Sequence, residues 1–330
     1  MVFFYVEEEI SNIAFLTILP NYVRPIKVDK YTLKIIIGLF FSRNLLYDTS
    51  NYSRSINKVA KLQSINANWG IRDSAFQCPD DWILQMEIFF EKEKIDINRP
   101  YVCLHVRESG YSPKDEHFHS ERNQDLLTYK MGIEYLLSQG YSVIRMGDKT
   151  MKKLPFEYDR LYDYARSELK VPLLDLAISS KCLFFIGGSS GAHYMATIFG
   201  RPSVSVNMAL PFNFSPTGFE FDIGIPKLFA NKNTGEFLKF SDIFSMKLDS
   251  IRDSQYFQNS IYSLIDNTEI EILEVIVEMN ERLNRKWIQD EEVEKLQDIV
   301  NKLLPRGSYT FGTKSKCGAN FLKKYNKLLC

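Results

Sequence analysis

The sequence has no excess of either charge, because 41 lysines and arginines are balanced by 41 aspartates and glutamates among 330 residues. A balanced surface does not attract nucleic acid or anionic lipid over long range, so no nucleic-acid partner is expected. Hydrophobic residues make up 45% of the chain and charged residues 25%, as in ordinary globular proteins. The composition therefore predicts a globular protein in which any anionic ligand is held by a local site.

Cysteine is also scarce. The five cysteines lie far apart, form no Cys-x-x-Cys pair and no cluster with histidine, and are odd in number. This pattern favours buried free thiols in a reducing compartment and disfavours a zinc site. No apolar run is long enough to cross a bilayer, and the N-terminus MVFFYVEEEI lacks the basic segment of a signal peptide. We expect a cytoplasmic protein.

Three ligand-binding motifs are missing, namely GxxxxGK[ST], GxGxxG and Asp-x-Asp. The absence of the first two counts against a P-loop ATPase and a dinucleotide oxidoreductase. Nucleotide-sugar transferases that hold a diphosphate through a divalent cation need clustered carboxylates such as the Asp-x-Asp motif. No metal site is therefore predicted, and a bound diphosphate would have to be neutralised by cationic side chains and backbone N–H groups.

From about residue 99 onward the chain alternates between strand and helix patterns. Apolar segments predict strands at 101–106, 141–146, 160–164, 182–186 and 203–206. Helical patterns lie between them, and two further helices capped by Thr268 and Asp290 follow. Strands that alternate with helices in this way predict an α/β fold with a doubly wound parallel sheet.

Residues 1–98 are less regular. A helix is predicted from Trp82 to Phe90, whereas the apolar runs at 13–19 and 33–41 suit either a strand or a helix. We predict a reduced N-terminal lobe over residues 1–98. A Rossmann-like domain with C-terminal helices is predicted over residues 99–330.

A glycine-rich turn, Gly187-Gly188-Ser189-Ser190-Gly191, connects the predicted strand 182–186 to a helix of small residues that ends at Gly200. A turn of this kind at a helix N-terminus directs its N–H groups at an anion and lets a phosphate approach closely. The alternative is a plain connection between a strand and a helix.

A second polar segment, His105-Val106-Arg107, lies at the carboxyl end of the predicted strand 101–106. Ligands of open α/β sheets bind at that edge, and strand alternation would place His105 and Arg107 on one face. An arginine there suits a diphosphate because its guanidinium is a fixed and permanently charged fork. The alternatives are a salt bridge between Arg107 and Glu108 or another carboxylate, and a core role for His105.

Neighbouring strand ends supply further candidates. Arg145 ends the next strand and would be a second contact for an anion. Asp163 could accept a hydrogen bond from a ribose or base, or could simply end its strand. The polar loop at 110–122 contains Asp115 among several acids and histidines, which suit either a catalytic group or a solvated surface. Asn123 is predicted to cap the helix that follows.

Ordered motifs along the chain resemble a family of bacterial glycosyltransferases found with surface-polysaccharide genes. The motifs are HVRESGY at 105–111, RNQDLLTY at 122–129, GYSVIRMGD at 140–148, DYARS at 163–167 and CLFFIGGSSGAHYMATIFGRPSVSVN at 182–207. More distantly, the His-x-Arg segment followed by the Phe-Ile-Gly-Gly-Ser-Ser segment is similar to the fucosyltransferase-type GT-B enzymes.

The resemblance implies a GT-B-like fold of two Rossmann-like lobes and transfer of a sugar from a nucleoside diphosphate. We expect this transfer to be metal-independent, because Asp-x-Asp is missing, and to be inverting. It implies that Arg107 binds the β-phosphate, that His105 lies near the nucleoside, and that Ser189 and Ser190 hold the phosphates. GDP is slightly preferred as the nucleoside diphosphate, and no other cofactor is expected. The acceptor would be a glycan or a lipid-linked acceptor, which leaves peripheral contact with the inner membrane open.

An inverting reaction calls for a base that deprotonates the acceptor hydroxyl. Glu108 is the first candidate because it follows Arg107 directly, and Asp115 is the second. Two other functions stay open. One is a non-catalytic subunit that binds the sugar nucleotide, because the N-terminal lobe is short; the other is a sugar-nucleotide epimerase on the same scaffold.

Overall fold

The computed structural model describes residues 2–10, 12–21, 23–34, 74, 76–110, 116, 119–212, 220–251, 253–305 and 313–329. Near the N-terminus, strands β1 (Val2–Tyr5) and β2 (Arg24–Lys27) form a small parallel pair. The apolar run at 13–19 is a 3-10 helix over Ile13–Ile18. Most of the run at 33–41 lies outside the described residues.

The remaining described strands belong to one large sheet and one antiparallel pair. They are β3 (Tyr101–His105), β4 (Ser142–Arg145), β5 (Leu161–Tyr162), β6 (Phe185–Gly187), β7 (Ser203–Met208), β8 (Ile223–Pro226), β9 (Leu228–Asn231), β10 (Tyr262–Ile265) and β11 (Lys316–Cys317). Seven of them form a parallel sheet in the order β11-β8-β7-β6-β3-β4-β5. Strands β9 and β10 pair with each other in antiparallel fashion.

The α-helices of the described residues are α1 (Asp80–Lys92), α2 (Lys130–Ser138), α3 (Pro172–Lys181), α4 (Tyr194–Thr197), α5 (Phe240–Ser245), α6 (Ser254–Asn259), α7 (Glu269–Leu283), α8 (Glu291–Leu303) and α9 (Ala319–Lys324). Thr268 and Glu271 form a capping box at the start of α7, and Asp290 caps α8, as predicted. Among all the residues that the structure describes, no helix is both long and apolar enough to cross a membrane.

The central strands are buried on both faces, and alternate residues divide the core in two. On β3, Val102 and Leu104 belong to one core, whereas Tyr101 and Cys103 belong to the other, because successive side chains of a strand point to opposite faces. Helices α2, α7, α8 and α9 cover the first core, and α1 and α3 cover the second. Helices on both faces of a parallel sheet confirm the predicted doubly wound α/β fold.

The order of the strands reverses beside β3. Strands β4 and β5 extend the sheet on one side of β3, and β6, β7 and β8 extend it on the other. The reversal lies between β3 and β6, whose pairing aligns Cys103 with Phe185 and His105 with Gly187. In open α/β sheets ligands bind outside the carboxyl ends of the strands at such a switch point. The two polar segments singled out from the sequence therefore begin on either side of the expected ligand crevice.

The start of the helix after residue 123 differs from the prediction. Asp125, rather than Asn123, is the cap, and it begins a 3-10 helix over Leu126–Tyr129 that leads into α2. Both residue types are good caps, but the Asn123 side chain is engaged by Arg107 instead.

Helix α1, which precedes the predicted domain boundary, packs directly against the sheet. Phe90 meets Tyr101 of β3 edge to face, with 5.4 Å between the ring centroids. Farther toward the N-terminus, Asn12 Nδ2 donates a hydrogen bond to Pro172 O at the start of α3, at 2.8 Å. The boundary near residue 98 stays a prediction.

We expect Phe90→Ala to lower the free energy of unfolding by about 3–5 kcal/mol, because a fully buried ring is lost and a cavity remains. Leu84→Ala on the same helix is the matched control, since Leu84 is 56% exposed and its change should stay within about 0.5 kcal/mol. Urea denaturation measures both. Equal effects of the two substitutions would contradict the packing of α1 on the sheet.

Candidate functional site

The candidate site lies at the carboxyl ends of β3, β6 and β7. Parallel pairing sets His105, Gly187 and Ser205 side by side in one row. His193, six residues after Gly187, lies with its Nε2 3.1 Å from Ser205 Oγ. A Cβ on Gly187 would stand only 3.0 Å from His193 Nδ1, so the lack of a side chain at 187 makes room for the imidazole.

His105 is 6% exposed, and its Nδ1 has no hydrogen-bond partner among the described residues. Burial lowers the pKa of His105 to about 4, and the neighbouring His193, Arg145 and Arg107 act in the same direction. The imidazole is therefore neutral at neutral pH, with one ring nitrogen able to donate and the other to accept. Such a ring suits a polar group of a ligand and does not serve as a cation for a phosphate.

The glycine–serine turn has the expected compact backbone. Ser190 N donates to Gly188 O at 2.7 Å, and the Ser190 hydroxyl accepts from Ala192 N at 3.4 Å. The helix after the turn is shorter than predicted. It consists of a 3-10 turn over Gly191–His193 and of α4, and it ends before Gly200. The macrodipole available to an anion is correspondingly small, because it is the sum of successive aligned peptides.

The remaining residues of the turn differ in how open they are. Ser189 Oγ accepts from Ala209 N at 3.4 Å, and nothing lies within 4 Å of a Cβ built on Gly191. Gly188 is covered, since a Cβ there would overlap the side-chain amide of Gln124 and stand 3.1 Å from Val206 O. Ser189 and Ser190 are half-buried, Gly191 is exposed, and this end of the turn is the part open to a ligand.

The Arg107 guanidinium contacts the loop after β3. Nη1 donates to His119 O at 2.9 Å and to Asn123 Oδ1, and Nη2 lies 3.8 Å from Glu116 Oε2. A salt bridge with a carboxylate is the alternative that the sequence left open, and Glu116 provides it. A contact between Arg107 and a diphosphate stays a prediction, and it requires the guanidinium to be shared with Glu116 or released by it.

Three of the predicted site residues come together in one ion cluster. Arg145 is fully buried, with Nη2 2.7 Å from Glu108 Oε1 and Nη1 3.3 Å from both Asp163 oxygens. Nη1 also donates to Lys152 O at 2.7 Å. Burial raises the pKa of Asp163, and the charge and hydrogen bond of Arg145 oppose the rise. The cluster joins the ends of β3, β4 and β5, so within it the charge of Arg145 is neutralised by the protein itself.

Glu108 is held by the same cluster. One carboxylate oxygen accepts from Arg145, and the other accepts from Lys152 N at 2.9 Å. A general base must present a lone pair to the proton that it removes. A catalytic role for Glu108 stays a prediction, and in this arrangement it requires one of the two bonds to open. The other candidate base, Asp115, lies outside the described residues.

The fold also brings three polar residues to this edge that the sequence patterns do not predict, namely Gln124, His193 and Lys227. Lys227 follows β8 and is buried, with Nζ 2.7 Å from Glu121 O and 2.6 Å from Asp266 Oδ1. Gln124 and His193 lie inside the motifs that carry the family resemblance, and this position could have identified them as candidate site residues. Lys227 lies in none of these motifs, so nothing in the sequence indicates it.

A resident metal has no evident ligand set in the ranges that the structure describes. No three side chains of histidine, cysteine, aspartate or glutamate are grouped there in a way that could hold a metal ion. The expectation of a metal-independent site stays a prediction.

No protein-family model and no curated protein matches the sequence. Among solved structures, a glycosyl transferase family 9 protein from Veillonella parvula aligns over 64% of this chain and 54% of its own, with a TM-score of 0.40 and 12% identity. The iron-containing dodecameric heptosyltransferase TibC in complex with ADP-D-beta-D-heptose aligns over 38% of this chain and 30% of its own, with a TM-score of 0.26 and 21% identity. TibC from enterotoxigenic E. coli H10407 aligns over 35% and 29%, with a TM-score of 0.25 and 21% identity.

These neighbours are glycosyltransferases, and this chain spans about half the length of the Veillonella parvula protein. Every identity is below 25% and every TM-score below 0.5. Likeness at this level carries no argument about activity, which has to come from the geometry of the site.

Arg145→Met is expected to lower the free energy of unfolding by about 3–5 kcal/mol, because it leaves two partly buried carboxylates without their cation. Lys149→Met is the control, since it removes an exposed ion pair with Glu168 and no measurable change is expected. Chemical denaturation at neutral pH compares the two. Wild-type stability of Arg145→Met would show that the buried cluster does not form.

His105 should make folding sensitive to acid. Its pKa is about 4 when folded and about 6.5 when unfolded, so below pH 6.5 the unfolded chain takes up a proton that the folded chain does not. Stability is therefore lost as the pH falls, by about 2 kcal/mol between pH 6.5 and pH 5. In urea denaturation, the free energy of unfolding of His105→Gln is expected to fall by about 2 kcal/mol less than that of the wild type over the same pH interval. Identical pH profiles of the two proteins would refute the lowered pKa of His105.

Proposed function

We propose that this chain is a glycosyltransferase that moves a sugar from a nucleoside diphosphate to a glycan or lipid-linked acceptor in bacterial surface-polysaccharide synthesis. The observation that carries the proposal is the switch point between β3 and β6. His105 and Arg107 end one of these strands, and the turn at 187–191 ends the other. Ligands of doubly wound sheets bind at this point, and an arginine with glycine-turn N–H groups suits a diphosphate.

In the proposed reaction the acceptor hydroxyl attacks the anomeric carbon as the bond to the diphosphate breaks. Negative charge then develops on the leaving diphosphate, where the Arg107 guanidinium and the N–H groups of the turn stabilise it. The neutral His105 ring offers a hydrogen bond to the nucleotide beside the end of β3. GDP is the preferred donor nucleotide, and the protein's own donors replace a metal.

Inversion at the anomeric carbon, with Glu108 or Asp115 as the base, belongs to the same proposal. Glu108 would have to give up either Arg145 or the Lys152 N–H before it could accept a proton. This engagement of the expected base favours a second candidate function. In that alternative the chain binds the sugar nucleotide as a non-catalytic subunit.

A thermal-shift screen of UDP, GDP, CDP and CMP, with and without EDTA, tests the donor class and the metal together. We expect GDP to raise the Tm, because a ligand that binds the folded state stabilises it, and we expect EDTA to make no difference. A shift that EDTA abolishes would contradict the metal-free site. Binding without transfer over a panel of acceptors would favour the non-catalytic subunit, and conversion of the donor alone would indicate an epimerase.

Arg107→Ala is expected to lower turnover by about 10²–10³-fold, the usual effect of removing one donor that stabilises developing negative charge. Arg99→Ala is the matched control, because Arg99 precedes β3 at the opposite edge of the sheet and donates to Gly140 O. Steady-state kinetics with the best donor of the screen compare the two variants. Near-normal turnover of Arg107→Ala would overturn the assigned role.

A further inference from the structure

Buried polar atoms without partners are concentrated at the carboxyl edge of the sheet. Among the described residues they include His105 Nδ1, Gln124 Nε2 and Asn207 Nδ2. Buried donors and acceptors are nearly always paired, because an unmet hydrogen bond is costly, and exceptions call for an explanation. These three atoms lie at the ends of β3 and β7 or in the segment between β3 and α2. At the edge where ligands of this fold bind, such atoms are available to a polar ligand.

Gln124 is the most precisely held of the three. Its backbone N–H donates to Arg107 O at 3.0 Å, which ties it to the end of β3. Its side-chain Oε1 accepts a hydrogen bond from the Tyr129 hydroxyl. Tyr129 is fully buried, and burial raises the pKa of its hydroxyl, so the proton stays in place to be donated. The amide oxygen is thereby fixed toward Tyr129, and the amide nitrogen points the other way.

The amide nitrogen of Gln124 rests against the glycine–serine turn. A Cβ on Gly188 would overlap Gln124 Nε2, so only glycine at 188 leaves room for the amide. Gln124 is 8% exposed, Nε2 is shielded from bulk solvent, and no described protein atom accepts a hydrogen bond from it. An oxygen seated on the turn reaches this amide only if the backbone at Gly188 turns aside, which glycine can do at little steric cost.

We propose that Gln124 is a ligand-binding residue that donates a hydrogen bond from its side-chain amide to an oxyanion held at the turn 187–191. The identity of that oxyanion, a phosphate oxygen of a nucleoside diphosphate, rests on the proposed function. The Gln124 N–H donates to Arg107 O, so the main chains of both residues are anchored at the end of β3. The amide adds a neutral hydrogen-bond donor for the oxyanion, because the short helix after the turn has only a small macrodipole to stabilise an anion.

Two substitutions separate the donor from the acceptor of the Gln124 amide. Gln124→Met keeps the length of the side chain and removes both N–H donors. Gln124→Glu keeps an acceptor for Tyr129 and replaces the donors by a carboxylate oxygen. Isothermal titration calorimetry with pyrophosphate and with GDP is expected to show binding about tenfold to a hundredfold weaker in Gln124→Met. Gln124→Glu should weaken it further because like charges repel.

Gln297→Met is the matched control. Gln297 is a buried glutamine of α8 whose side chain accepts from Cys317 N at 2.8 Å, on the outermost strand β11. This variant is expected to lower the Tm and to leave both affinities unchanged. Gln124→Met is also expected to lower the Tm of the ligand-free protein, because it removes the acceptor of the buried Tyr129 hydroxyl, so the affinities decide between the two roles. A merely structural Gln124 predicts a lower Tm with unchanged affinity.

The two probes distinguish this inference from the proposed function. If the wild type binds both probes and Gln124→Met binds them equally well, the inference is overturned and the proposed function stands. If the wild type binds pyrophosphate but no nucleoside diphosphate, and Gln124→Met loses that binding, the amide site stands and the proposed donor falls. A wild type that binds neither probe overturns both.

Discussion

The pairing of β3 with β6 is the constraint on which the rest of the site depends. It aligns His105 with Gly187, and the pairing of β6 with β7 extends the row to Ser205. Glycine in the middle of the row lets the His193 ring approach the sheet closely enough to reach the Ser205 hydroxyl. One backbone position without a side chain thus makes room for a polar contact between two separate parts of the chain.

Much of this architecture could be predicted from the sequence. Apolar segments locate five of the seven strands of the sheet, β3 to β7, to within a few residues, since a strand that is buried on both faces has to be apolar almost throughout. The sequence patterns predict neither β8 nor β11. The carboxyl ends of those strands, with His105, Arg145, Asp163 and Gly187, follow directly. The order of the strands does not follow, because it depends on pairings between distant segments. The switch point therefore appears only in the structure.

Local polar chemistry was harder to predict because several partners compete for one group. Asn123 and Asp125 are both good caps, and the choice between them is made by Arg107, which takes the Asn123 side chain. Glu108 directly follows Arg107, yet it pairs with Arg145 on the neighbouring strand. Both outcomes depend on a contact between segments that are not adjacent in sequence. The end of the short helix after the glycine turn is instead a local feature, since Gly200 adopts a φ of +72° and Arg201 N donates to Ala196 O.

Arg107 and Arg145 both lie at the end of a predicted strand, and the sequence makes both candidates for an anion contact. Their different burial makes them chemically different. Arg145 is enclosed with two carboxylates, and withdrawing it from them would leave buried charge uncompensated. Arg107 keeps part of its surface in water, and its pair with Glu116 is longer, at 3.8 Å. The proposed contact with a diphosphate would replace or share this pair, and the bonds of Nη1 to His119 O and Asn123 Oδ1 would be kept or opened. Arg145 is committed to its two carboxylates at the strand ends, so the proposed ligand contact falls to Arg107.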